Sequence, residues 1–156
     1  MSELTRLDVI KIIATSPAKG VILRGVDLSN LDLCALCLAE ADLSYANLSN
    51  CNLSKADLNK ANLSKANLSY ADLSEATITG ANLSEANISG ADLRTVNLAN
   101  SDLRKADLRG ANLRGAILTG ANLWQADLRD TTMIYAELEG AKGLPVNIQE
   151  FLKGKT

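Results

Sequence analysis

Cys34-Ala-Leu-Cys37 has the C-x-x-C spacing of zinc and redox sites, and it is the first place in this sequence to look for chemistry. A zinc site of that kind needs a second pair of ligands. Cys51, in a chain without histidine, does not supply one. A thioredoxin-like dithiol needs a helix N-terminus to acidify its thiol, and the pattern around Cys34 is not helical, so both cysteines read as incidental surface thiols. The lack of histidine also removes the commonest general base. Ser44, Ser64 and Ser84 recur at a fixed interval with no base beside them, and read as turn filler. Asp102, Asp107 and Asp127 occupy a repeating position before a leucine, where a structural role is expected. The chain is therefore read as non-enzymatic, with no catalytic residue, metal or cofactor.

The elements that carry these side chains follow from an unusual period. Residues 61 to 76, ANLSKANLSYADLSEA, place Leu63, Leu68 and Leu73 five apart. On a helix a five-residue step turns about 500°, so the leucines would coat every side. On a flat strand an odd step alternates faces. The leucine position recurs from Leu23 to Leu138, replaced only by Ile78, Ile88 and Met133. Two residues earlier the residue is almost always small, such as Ala41, Ala46, Cys51 or Ala56. The frame is unbroken from Val21 to Gly140, which divides into twenty-four five-residue units.

This text resembles the pentapeptide repeat family, A(N/D)LXX, over about three quarters of the chain. The resemblance implies an all-β fold, a right-handed quadrilateral β-helix with one unit per wall and four per coil. Twenty-four units then make six coils, a shaft roughly 29 Å long at the β spacing of about 4.8 Å. The residue pattern agrees, with two apolar positions in five pointing in. Asn or Asp before each leucine can bond nearby backbone at a bend and its equivalents in the coils above and below, with Asn47, Asn67 and Asn87 forming one such ladder. Cys37, Thr77 and Ile117 depart from the motif on a single wall, which is expected to be less regular.

The organisation expected is a capping helix in residues 1–20, the solenoid in 21–140 and a C-terminal cap in 141–156. Leu4, Leu7, Ile10 and Ile13 lie at helical spacing with Ser2 as a candidate N-cap. Pro17 stops that helix. Val21, Val26, Leu31 and Leu36, larger than the usual alanine, form its seat. Ile148, Phe151 and Leu152 suggest a short helix at the other end.

With twenty residues per coil, Lys65, Glu85 and Lys105 stack with alternating charge, as do Lys55 with Glu75 and Glu40 with Lys60. Arginines behave differently. Arg94 stacks on Arg114 and Arg109 on Arg129, while Arg104 falls beside Trp124 as a candidate cation–π pair. Ile134 and Tyr135 point outward on the last coil. Two readings follow. The arginines answer Asp92, Asp107 and Asp127 beside them, or Arg94, Arg104, Arg109, Arg114, Arg129, Trp124 and Tyr135 form an interaction face of the residue types enriched at hot spots.

Sixteen basic against eighteen acidic residues, and a pI near 5.1, argue against direct nucleic-acid binding. No segment approaches the roughly 20 apolar residues of a membrane span, and no signal-peptide pattern is present, so a cytoplasmic protein is expected. The regular text is similar to cyanobacterial and related bacterial family members, some of which regulate through protein contacts. A rigid scaffold for an unidentified protein partner, monomeric or paired end to end, is the leading reading. The alternative, also implied by the resemblance, is a DNA-mimicking gyrase protector. Such a protein calls for a strongly acidic shaft, whereas here residues 91–140 hold seven acidic and six basic side chains.

Overall fold

The computed structural model describes residues 4–15 and 20–146. From Val21 the chain winds as a right-handed, four-sided β-helix in which residues twenty apart pair in parallel, from Ile22 with Asp42 to Asn122 with Lys142. Wall one holds residues 21–25 and their equivalents every twenty residues on; walls two, three and four begin at 26, 31 and 36. One unit shows how coils join. Leu68 N–H donates to Asn87 O in the following coil (2.7 Å), and Asn67 N–H to Ala46 O in the preceding one (2.9 Å).

The corners explain the period of five. Ala71 N–H donates across its corner to Leu68 O (3.1 Å), and Tyr70 between them has φ 58°. That bond with positive φ at the third turn residue is the type II pattern, which favours glycine or asparagine. Here seventeen corners carry a non-glycine residue at φ 54° to 62°. The left-handed region costs an ordinary residue on the order of 1 kcal/mol, a cost offset by the coil-to-coil bonds around it. Leucine fills the tube, with Leu63, Leu68 and Leu73 fully buried, each burial worth about 1.5–3 kcal/mol. Alanine at the preceding inward position lets the walls close.

The side-chain ladders form. Asn87 Nδ2 donates to Asn67 Oδ1 (3.3 Å), Asn67 to Asn47 (3.2 Å) and Asn47 to Asp27 (2.9 Å). Each of these oxygens also accepts the backbone N–H two residues on, as Asn67 Oδ1 does from Ser69 (3.2 Å). Wall four departs less than expected. Its backbone bonds match the others, Leu58 N–H to Thr77 O being 2.8 Å. The irregularity is confined to side chains: Asn59 Oδ1 accepts Thr79 N–H (2.9 Å), one coil on, and Asn59 Nδ2 donates to Thr77 Oγ1 (3.4 Å).

Helix α1 spans Arg6–Thr15. Its N-cap is Thr5, whose Oγ1 accepts Asp8 N–H (3.3 Å) while Asp8 Oδ2 accepts Thr5 N–H (3.0 Å), a reciprocal capping box. Ser2, the expected cap, and Pro17 lie outside the described residues. The helix seats Val9, Ile12 and Ile13 on the core, with Leu4 just before it. Leu7 and Ile10, expected on the same stripe, are exposed. Arg6 reaches over the open edge of the first coil: Nη1 donates to Asp32 O (2.6 Å) and Nη2 to Cys34 O (3.0 Å). Elsewhere on this wall those carbonyls take backbone N–H groups of the preceding coil, as Asn52 O takes Leu33 and Ser54 O takes Ala35. The guanidinium thus stands in for a coil that is not there.

At the far end Leu123 N–H donates to Lys142 O (2.8 Å). Gly143 then passes so close over Leu123 and Trp124 that a Cβ would collide with their backbone, and Leu144 is buried. The expected helix around Ile148, Phe151 and Leu152 lies outside the described residues.

Candidate functional site

The serines expected as turn filler are held by hydrogen bonds. Ser44 Oγ donates to Asp42 Oδ1 (2.6 Å), Ser64 Oγ to Asn62 Oδ1 (2.8 Å) and Ser84 Oγ to Asn82 Oδ1 (2.7 Å). Cys34 Sγ accepts from Ser54 Oγ (3.3 Å), Cys37 is exposed on wall four, and Cys51 is buried with its thiol pushed up to about 11 by burial. A thiol so shifted is not a nucleophile at neutral pH.

Chemical density lies instead on coils four to six, residues 81–140. Each aspartate that precedes a leucine there lacks the amide that would extend a ladder, and an arginine two residues on replaces it. Arg94 Nη2 meets Asp92 Oδ2 at 2.6 Å, Arg104 meets Asp102 at 2.6 Å, Arg109 meets Asp107 at 2.6 Å and Arg129 meets Asp127 at 2.5 Å. Arg109 also reaches Asp127 (3.8 Å), linking two coils of wall two. The hydrogen bonds from these guanidinium groups hold the carboxyls of Asp92, Asp102 and Asp107 below the ordinary value. Asp127, held first by Arg129, falls to about 2. The reading in which the arginines answer the aspartates beside them thus holds for Arg94, Arg109 and Arg129 and not for Arg114.

Arg104 turns to Asp102 and not to Trp124. The cation–ring contacts among the described residues are Arg24 (5.1 Å) and Lys65 (5.5 Å) on Tyr45, and Arg114 on Tyr135 (5.6 Å). Arg114 is the one cluster arginine without a carboxylate within ion-pair distance among the described residues. Sequence reasoning missed all three tyrosine contacts. For the two arginines the available signal was the residue two before each, Ile22 and Asn112, where the other arginines of the solenoid have aspartate. Of the expected lysine–glutamate columns, Lys65–Glu85 (3.7 Å) and Lys55–Glu75 (3.9 Å) close. Glu40–Lys60 and Glu85–Lys105 form no ion pair among the described residues.

A parallel β-helix of five-residue walls, carrying a charge network and exposed aromatic rings on its last coils, is the architecture of a repeat solenoid. The family model "Pentapeptide repeats (8 copies)" matches residues 41–80, 76–115 and 106–142, and the chain belongs to the pentapeptide repeat family. Among solved structures it is similar to HetL, a pentapeptide repeat protein involved in heterocyst differentiation regulation in the cyanobacterium Nostoc. That match has 37% identity over 78% of this chain and 59% of that one, with a TM-score of 0.50. Rfr23 of the cyanobacterium Cyanothece matches at 39% identity over 62% of this chain and 60% of that one, TM-score 0.36. QnrB1, a plasmid-mediated fluoroquinolone resistance protein, is 20% identical over 88% of each chain, TM-score 0.24. The chain thus spans about three fifths of the first two structures. A search of curated proteins found no significant match. No helix among the described residues is long and apolar enough to cross a membrane.

Proposed function

We propose that this protein is a non-enzymatic rigid scaffold that binds a protein partner around its last coils, with Arg114, Ile134 and Tyr135 on wall three and Trp124 on the opposite wall, wall one, as the contact residues. The observation that carries the reading is the placement of the aromatic rings. Every aromatic residue among those described is exposed: Tyr45 by 51%, Tyr70 by 70%, Trp124 by 61% and Tyr135 by 78%. The core is built from leucine and alanine, so the rings contribute little to folding. Aromatic and arginine side chains on an outer surface are the types that dominate interface energetics. Trp124 and Tyr135 share the last coil with exposed Ile134. The four aspartate-bound arginines, Arg94, Arg104, Arg109 and Arg129, are read as stabilising the walls.

The likeness to HetL supports a regulatory scaffold. The gyrase-protector alternative draws no support from charge, since aspartate-bound arginines neutralise the last coils. A supercoiling assay with gyrase and a fluoroquinolone tests it directly, and protection by the full chain would favour that alternative. The scaffold reading is tested by pull-down from host lysate. A protein captured by the wild type is lost with Trp124→Ser plus Tyr135→Ser and kept with Tyr70→Ser. Equal capture by both variants refutes this reading.

A further inference from the structure

We infer that the notch around Arg114 on wall three docks an acidic peptide segment of a protein partner, its carboxylate on the Arg114 guanidinium and an apolar side chain on Tyr135 and Ile134. The inference rests on the scaffold reading and adds the chemistry of what is bound. It begins with one letter of sequence. Five units of the last three coils carry arginine after the leucine: ADLRT, SDLRK, ADLRG, ANLRG and ADLRD. Four have aspartate two residues before the arginine, and in each the guanidinium folds back onto it. In the fifth, Asn112 Oδ1 accepts Arg114 N–H (3.2 Å) like its counterparts but offers no charge to the side chain. The guanidinium lies along the rod over Tyr135, 5.6 Å from the ring centre.

The surroundings leave that charge available. The charged side chains of wall three in these coils are Asp92, Arg94 and Arg114. Asp92 and Arg94 cancel at 2.6 Å, so the wall carries one net positive charge in a chain of net −2. Glu75, on the far rim of the notch, is engaged by Lys55 (3.9 Å). At the corner, Gly115 interrupts the column between Thr95 and Tyr135. The atom nearest to where its Cβ would stand is Thr95 Cγ2, at 3.4 Å. The missing side chain opens a recess bounded by Arg94, Arg114 and Tyr135.

Arg24 on Tyr45 is an internal comparison, for it too lacks an aspartate two residues before it. There Lys65 takes a further place on the ring, and Tyr45 is less exposed than Tyr135. The Arg114 pair is the open version of the same arrangement. A guanidinium presents a planar fork of donors that matches a carboxylate, and the adjoining ring and Ile134 form an apolar seat. Charge complementarity therefore selects an acidic segment with an apolar neighbour.

The test titrates the nitrogen-15-labelled full chain with the end-blocked peptide Glu-Leu-Glu-Leu-Glu and with Gln-Leu-Gln-Leu-Gln. The acidic peptide is expected to shift the Gly115 and Tyr135 amides and the Arg114 side-chain N–H saturably, and more weakly in high salt; the neutral peptide is not. Arg114→Gln should lower affinity about tenfold or more. Asn112→Asp, which rewrites ANLRG as ADLRG, should do the same with Arg114 still present and without lowering the melting temperature. Arg129→Gln, whose partner is Asp127, should leave binding unchanged. Absence of shifts at residues 114, 115 and 135, equal binding of the neutral peptide, or wild-type binding by Asn112→Asp would each overturn the acidic-segment inference. Those outcomes are separate from the lysate capture, which fails or succeeds on whether any protein docks on the last coils.

Discussion

Asp107 and Asp127 stand one coil apart on wall two, a like-charge stack that would be destabilising alone. Arg109 and Arg129 convert it into an alternating network. Because the Asp127 carboxyl is held at about 2 against an ordinary 3.8, its contribution to stability is full above the ordinary value. It is lost as pH falls through the folded one. Asp92, Asp102 and Asp107 are shifted in the same direction and lose theirs in the same acid range. Melting temperatures taken between pH 5 and pH 2 should fall less steeply for Asp127→Asn than for the wild type; parallel curves would mean the network does not hold in solution. A second prediction concerns which way side chains point. Leu68→Asp places an unpartnered carboxylate among buried leucines and should abolish cooperative unfolding. Ser69→Asp, one position on, should change stability by less than about 0.5 kcal/mol. Similar melts for both would contradict the inward–outward assignment. The inward positions were readable because period and polarity agree at nearly every unit, Ser101 and Thr131 being polar exceptions whose hydroxyls bond Leu98 O and Leu128 O. The arginines were not, since stacking by twenty shows which side chains are neighbours and not which way a long one folds. Asn112 was the decisive letter.

At the level of elements, the corner is the part under tension. Thr95, β-branched, is held at φ 54°, where such residues are rare. Thr95→Gly is expected to raise stability by up to about 1 kcal/mol, seen as a higher melting temperature; a lower one would place the tension elsewhere. Helix α1 shows where pattern reading fell short. A step of three residues turns about 300°, so Leu4, Leu7, Ile10 and Ile13 drift around the helix instead of lining one side. The core-facing set, buried Val9 with partly buried Ile12 and Ile13, follows three- and four-residue steps. Arg6 carries a role that no motif announces, because its partners, two backbone carbonyls and the Asp32 carboxylate (3.3 Å), lie twenty-six and twenty-eight residues away. Arg6→Gln should free α1 without melting the coils, detected as faster proteolysis within residues 6–15 at an unchanged solenoid transition. Loss of that transition would make Arg6 part of the solenoid's own stability.

For the whole molecule, each coil touches only the next, and stability accumulates along one axis. The ends are then the vulnerable places. Val26, Leu31 and Leu36 are only partly buried at the α1 end of the core, and removal of residues 1–15 leaves them beside a row of unbonded carbonyls. Such an edge invites strand addition. Light scattering of the truncated protein should rise with concentration, whereas a truncated chain that stays monomeric would show that α1 is not what protects this end.

The unbroken frame of five has a genetic corollary. Loss of twenty codons within the solenoid removes one full coil and leaves every downstream side chain on the wall it occupied before. Loss of five moves the remainder by a quarter turn, carrying Arg114 and Tyr135 to the neighbouring wall as seen from α1, with the leucines still inside. Length changes in this gene are therefore rotations of one end against the other, and the repeat count sets the compass bearing of the Arg114 notch.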